Sequence, residues 1–236
     1  MLASGDLHHQ NRTRPAMTQA LKPRPNDDAA VATATSAGRV RIRQVETLAD
    51  DWYVLRKYTF DQRRADGTWQ TVSREAYDRG NGAVVLPYDR ARGTVVLTRQ
   101  FRLPAFVNGH PDGMLLEAPA GLLDAQAPEE AVRREAEEET GFRLRRVEPV
   151  MEAFMSPGSV TERLHFFVAA YDRGDRASGG GGSAAEGEDI EVLELPLHEA
   201  LAMVDRGGIA DGKTIMLLYH VALKGLLLGG ERPPER

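Results

Sequence analysis

Gly121–Phe142 reads GLLDAQAPEEAVRREAEEETGF. Its second half is a helix with marked ends. Pro128 suits the first turn, where its missing N–H is not needed, and Glu129 and Glu130 suit the positive end of the helix dipole. Gly141 is a standard C-terminal signal, because a chain leaves a helix easily through a left-handed glycine. Inside the helix, Glu135, Glu138 and Glu139 stand at i, i+3 and i+4 and share one face. Like charges on one stripe repel, by roughly a few tenths of a kcal/mol per pair, so something should offset them. The plain reading is a solvated acidic face. Two neighbours point to chemistry instead. Arg133 and Arg134 lie beside the cluster, where forked donors can orient carboxylates. The preceding loop, Ala118-Pro119-Ala120-Gly121, lets backbone approach a ligand closely. Magnesium takes hard oxygen ligands, commonly one or two carboxylates with waters and substrate phosphates. Phosphate would then arrive through the metal. Glu137, at i+2 from Glu135, does not share the stripe and reads as solvated.

Working outward, the helix lies between strands. Val40–Val45, Trp52–Phe60 and Trp69–Tyr77 precede it, with Asp66-Gly67 as a hairpin turn. Gly82–Pro87, Thr94–Arg99 and Met114–Ala118 follow as shorter strands. After the helix come strands at Val147–Met155 and Leu164–Tyr171, joined by the loop Ser156–Glu162. Residues 172–187 are glycine-rich and read as a mobile loop, before Ile190–Leu195 returns to strand. Helices at about 198–206 and 212–228 close the chain. Strands on both sides of one acidic helix suggest an α/β fold, a mixed sheet held between helices as an α/β/α sandwich. Residues 1–38 are rich in Ala, Thr, Pro, Asn and Asp without an apolar period, and read as a disordered tail. Met17 lies within that tail as an alternative start. The expected organisation is therefore a tail at 1–38, a β-rich segment at 39–80 and the main domain at 81–230.

Composition narrows the function. The chain has 236 residues, 42% of them apolar, which allows a substantial core. Its net charge of −5 argues against generic nucleic-acid binding, which needs local Lys and Arg. With no cysteine, thiolate chemistry is excluded and any metal must be held by oxygen or imidazole. The histidines show no ligand spacing, and His165 reads as a packed strand residue. No apolar run reaches the ~18 residues of a membrane span. Asp6, His8, His9 and Gln10 occupy the place of a signal peptide's apolar region. The expectation is a soluble cytoplasmic protein.

The acidic helix resembles the Nudix box, G-x5-E-x7-R-E-U-x-E-E-x-G-U with U aliphatic. Arg134–Phe142 matches its second half, with Ala136 and Phe142 as loose fits to U. The first half departs: Gly121 to Gly141 is a residue shorter than the pattern, and the early Glu falls on Ala127. That shortened box resembles the GDP-mannose pyrophosphatase branch. The likeness runs from about Leu48 to Leu228 and includes Arg74–Gly82, Arg99–Arg102, Phe154–Gly158, Glu188–Pro196 and Asp211–Thr214, in the same order.

This resemblance implies a Nudix fold with an N-terminal β-rich dimerisation segment. It implies hydrolysis of a nucleoside diphosphate sugar, GDP-mannose first, to GMP and mannose 1-phosphate, with magnesium and with manganese as an alternative. By resemblance, Glu135 and Glu139 ligate the metal with the carbonyl of Ala120, and Glu138 joins through water. Glu188 would complete the site as ligand or as the base that takes the water's proton. The loop is longer here than in the family pattern, which makes Glu186 its rival. Arg102 and Lys213 match contacts to phosphate or sugar, and Glu162 matches another substrate contact. Ser73, Arg74 and Glu75 match a segment that holds the nucleotide. Trp52 matches an aromatic that stacks on the base from the partner subunit of a homodimer, with a buried core Trp as its alternative. Two other functions stay open: an ADP-ribose or ADP-sugar pyrophosphatase, and a non-hydrolytic nucleotide sensor.

Overall fold

The computed structural model describes residues 38–227. The expected tail, except Gly38, and the last expected residue of the closing helix lie outside the described residues.

The N-terminal segment forms its own antiparallel sheet, ordered β1 (Val40–Asp50), β2 (Val54–Arg63), β3 (Trp69–Asp78). The expected hairpin turn is present, with the Asp66 carboxylate accepting from the Thr68 N–H at 3.0 Å. The second strand begins at Val54, not at Trp52. Asp51–Tyr53 makes the turn between β1 and β2, so Trp52 sits at a hairpin tip.

The main sheet contains β4 (Gly82–Asp89), β5 (Thr94–Phe101), β6 (Met114–Glu117), β7 (Ala120–Leu122), β8 (Glu148–Phe154), β9 (Arg163–Ala170) and β10 (Glu191–Pro196). Its order is β10-β5-β4-β9-β8, with β6 added to β5 and β7 to β4. β4 and β9 run parallel and the other pairs antiparallel, which makes the sheet mixed as expected. The helices are α1 (Leu103–Val107), α2 (Pro128–Thr140), α3 (Leu197–Asp205) and α4 (Gly212–Leu223).

β4 organises the two layers. Every residue of GAVVLPYD is buried, as a strand covered on both faces requires. Alternation sends Ala83 and Val85 into one core with Val132 and Ala136 of α2, and Val84 and Leu86 into another with Leu217, Leu218 and Val221 of α4. Ala136 and Phe142 are loose fits to an aliphatic pattern, yet both are buried on the sheet side of α2.

Two short elements differ from the sequence reading. α1 is a single turn whose apolar residues are not buried, so periodicity had nothing to report. β7 forms where a loop is expected, because Ala120–Leu122 pairs with Gly82–Val84. The glycine-rich stretch also differs. It is docked on the end of α2, not free: the N–H of Gly181 donates to the carbonyl of Glu139 at 2.9 Å, and that of Gly182 to Glu138 at 3.1 Å. These bonds satisfy carbonyls that a helix end leaves without partners. The tight seam explains the glycines. Gly141 has φ 79°, and a Cβ there would stand 2.3 Å from the Ser178 carbonyl oxygen.

Gly141→Ala should therefore lower stability by about 1–3 kcal/mol, through left-handed strain and the clash. Gly158→Ala, which meets nothing within 4 Å, serves as the control and should be close to neutral. Urea unfolding of both variants checks this.

Candidate active site

α2 starts without help from a side chain. Its N-cap is Ala127, where the Nudix pattern places Glu, and Pro128, Glu129 and Glu130 form the first turn. The helix lies against β4, β5 and β7, which turns its acidic stripe toward Ala120 and Gly121. Glu139 is almost completely buried, at 2% exposure. One of its oxygens accepts from the Ala120 N–H at 3.2 Å. Glu135 is largely buried and accepts from Arg134 at 2.7 Å. Glu138 is exposed and takes a second Arg134 nitrogen at 3.0 Å. The fork expected of the adjacent arginines thus belongs to Arg134 alone, while Arg133 pairs with Glu129 across a turn. Glu137 points away to Arg143, at 2.7 Å, as its spacing implies.

Burial raises the pKa of Glu135 to about 7, with Arg134 opposing the shift and Glu138 and Glu188 adding to it. Burial also holds Glu139 well above the usual carboxylate range, reinforced by the charges of Glu135 and Glu188. Glu188 therefore shares the electrostatic site across the docked loop. It is held by the Ser183 N–H, which donates to its carboxylate at 2.8 Å. Glu186 ends a short 3-10 turn, Ala184–Glu186, two residues before Glu188. Gly121 completes this corner. A Cβ there would stand 2.1 Å from the carboxyl carbon of Glu135.

Opposite the stripe lie two cations. Arg102 precedes α1 and donates through Nε to Glu117 at 2.7 Å. Lys213, in the first turn of α4, donates to Glu117 and to Asp211. Burial opposes the charge of both, but the facing carboxylates outweigh it and raise both pKa values. Arg102 also feels the charge of Glu139, so the cations and the acidic face belong to one site. Glu162 enters from the β8–β9 loop. Its carboxylate lies 3.5 Å from Arg79 Nε and close to Gly82, which abuts Gly121.

The structure thus gathers Ala120, Glu135, Glu138, Glu139, Glu188, Arg102, Lys213 and Glu162. It does not bring Ser73, Arg74, Glu75 or Trp52 into that group. The first three lie on β3, where Ser73 pairs with Thr59 at 2.9 Å. Arg74 and Glu75 line a separate cleft of ≈ 750 Å³ between the N-terminal sheet and the loop Pro157–Thr161, and its lining includes no residue of the acidic helix. Trp52 is 65% exposed and touches Tyr53 edge-on, which rules out a buried core role. His165 packs in β9 beside Glu152, as expected. Sequence reasoning missed Glu117 and Asp211. The signal for Glu117 was a lone acid at the end of the apolar run MLL.

A divalent cation fits the chemistry of this donor set. The buried carboxylates are hard oxygen donors that repel one another and hold protons in the absence of a counter-charge. Each is parked on a protein donor, and among the described residues no three acidic or histidine side chains form a ready ligand cage.

Residues 39–77 match the GDP-mannose pyrophosphatase NudK N-terminal domain, and residues 78–218 match the NUDIX domain. The chain belongs to the Nudix hydrolase family. Within it, the chain falls in the GDP-mannose pyrophosphatase branch. It is 56% identical to the GDP-mannose pyrophosphatase of Pectobacterium atrosepticum, covering 81% of this chain and 98% of that one. It is 54% identical to that of Yersinia enterocolitica over 77% of this chain and 94% of the relative. With that of Cronobacter sakazakii it shares 51% identity, over 80% and 97% of the two chains. A crystal structure of an ADP compounds hydrolase superposes with a TM-score of 0.60 at 19% identity, covering 82% of this chain and 98% of that one, which establishes the fold. The protein is accordingly a Nudix pyrophosphohydrolase, of a family that uses a divalent metal. Among the described residues, no helix is long and apolar enough to cross a membrane.

The raised pKa of Glu139 has a testable sign. The folded state keeps its proton more tightly than the unfolded chain, whose value is near 4.5. Stability from that proton is complete below this value and is lost as pH rises through the folded pKa. In chelator, Glu139→Gln should therefore melt higher than the parent at pH 8, and the difference should largely vanish at pH 4. Thermal melts at the two pH values measure it.

Proposed function

We propose that this protein hydrolyses the diphosphate of GDP-mannose, giving GMP and mannose 1-phosphate, as a magnesium-dependent homodimer in the cytoplasm. The observation that carries the chemistry is the mutually repelling set of buried Glu139 and half-buried Glu135 and Glu188, opposite Arg102 and Lys213. A carboxylate face and a cationic face suit a metal–diphosphate ligand, which carries charge of both signs. The choice of sugar nucleotide rests on the relatives named above, which match both the N-terminal sheet and the main domain.

Glu135, Glu139, the carbonyl of Ala120 and Glu188 would hold the metal, with Glu138 contributing through water. When bound, magnesium neutralises charge on the diphosphate oxygens and acidifies water. Manganese is the alternative ion. Glu188 takes the proton of the attacking water, from the loop docked on the end of α2. Arg102 and Lys213 bind phosphate or sugar oxygens, and Glu162 orients the substrate from the β8–β9 loop. Arg134 fixes Glu135 and Glu138 so that the stripe does not spread.

Ser73, Arg74 and Glu75 hold the nucleotide from the N-terminal sheet. Trp52 stacks on the base in the partner's site. Its exposure at a hairpin tip is what a residue needs to reach a second subunit.

Product analysis on GDP-mannose, GDP-glucose, ADP-ribose and ADP-glucose tests this reading. GDP-mannose should be turned over best and yield GMP with mannose 1-phosphate, and chelator should abolish the reaction. Glu139→Gln should lower kcat by more than about a hundredfold, the upper end for groups that only support a metal ligand. Preference for an ADP-linked substrate would move the specificity, and intact substrates throughout would remove the hydrolytic reading.

A further inference from the structure

Glu117 ends β6 and is 3% exposed, following the apolar residues Met114, Leu115 and Leu116. A carboxylate buried this deeply persists only with charged partners. It has two, and it divides its oxygens between them. Oε2 accepts from Arg102 Nε at 2.7 Å, and Oε1 accepts from Lys213 Nζ at 2.5 Å. The residues meet only in the fold, since Glu117 and Lys213 are separated by 96 positions.

The support continues behind Lys213. Asp211 caps α4, holds Lys213 at 2.9 Å and accepts from Thr214 Oγ1 at 2.6 Å. Thr214 Oγ1 in turn accepts from the N–H of Ala118, the residue after Glu117, at 2.7 Å. The start of α4 is thereby tied to the link that carries Ala120. Within this frame Glu117 and Lys213 are enclosed, with side chains 5% and 13% exposed, whereas Arg102 is 40% exposed. Arg102 is gripped at Nε, which leaves its two terminal nitrogens to present a fork to an incoming anion.

We propose that Glu117 is a positioning residue that sets the spacing and orientation of Arg102 and Lys213 as the paired cations for the substrate's diphosphate. The inference rests on the reading of those two cations as substrate contacts. Glu117 itself stays shielded and touches no substrate. Its carboxylate acts as a fixed anchor with one cation on each oxygen, and it keeps two like charges side by side that would otherwise repel. Loss of one oxygen's charge would let Lys213 fall back on Asp211 and free Arg102 to swing.

The test compares the parent with Glu117→Gln, with magnesium held constant. Calorimetry measures the binding of imidodiphosphate, a diphosphate that is not cleaved, and steady-state kinetics measures KM and kcat on GDP-mannose. Glu117→Gln should weaken imidodiphosphate and raise KM by about tenfold or more, as for lost hydrogen bonds to charged groups, while kcat falls less. In an Arg102→Met background the same change should add much less, because both act through one contact. Thermal melts establish that the variants fold. If Glu117→Gln does not fold, Glu117→Asp keeps the charge but is too short to reach both cations, and it should weaken imidodiphosphate in the same direction. Unchanged imidodiphosphate affinity in a folded variant, absence of imidodiphosphate binding by the parent, or fully additive losses would overturn the proposal. GDP-mannose left intact, while imidodiphosphate binding still depends on Glu117, would remove the substrate reading and leave this one standing.

Discussion

Glu139 is a carboxylate at 2% exposure whose nearby acidic neighbours, Glu135 and Glu188, carry its own charge. Burying a charge without a partner is among the costliest things a fold can do. The surroundings of α2 exist to make this tolerable. The Ala120 N–H reaches one oxygen, Arg134 clamps the two carboxylates nearer the surface, and Arg102 adds positive potential from across the site. What remains uncompensated is carried as raised proton affinity. A divalent cation held among these carboxylates would relieve the same repulsion.

Placing such a helix requires close approach on every side. Gly121 has no Cβ because Glu135 occupies that space, and Gly141 turns the chain where the Ser178 carbonyl presses in. The glycine-rich loop donates its N–H groups to the last carbonyls of α2 and delivers Glu188 to the same site. One short segment thus ends the helix and supplies a carboxylate. The loop's anchor on α2 is backbone to backbone, so only the positions that touch the helix are constrained.

The main sheet keeps the two charged faces in register. β4 is buried on both sides, with α2 on one and α4 on the other, and β6 and β7 join the layers across Glu117 and Ala120. Lys213 rides on α4, Glu139 on α2, and the link between β6 and β7 runs between them. The N-terminal sheet stands apart with its own strand order and with Trp52 exposed at a tip. Its cleft holds Arg74 and Glu75 away from the acidic stripe.

By itself the sequence determined the local elements and the character of the helix. Pro128, the i, i+3, i+4 spacing of Glu135, Glu138 and Glu139, and Gly141 mark a helix with a charged face, because those signals act within a few residues of one another. The same locality explains why most strands were legible and why α1 and β7 were not: one has no buried face, and the other exists only through its pairing with β4. Tertiary structure alone decided that Glu139 is buried while Glu138 is not, that Arg134 and not Arg133 braces the stripe, and that the glycine-rich loop is a cap on α2. It alone brought Glu117 between Arg102 and Lys213. Burial and ion pairing depend on what the folded chain places on the other side, and no spacing along the chain encodes that distance.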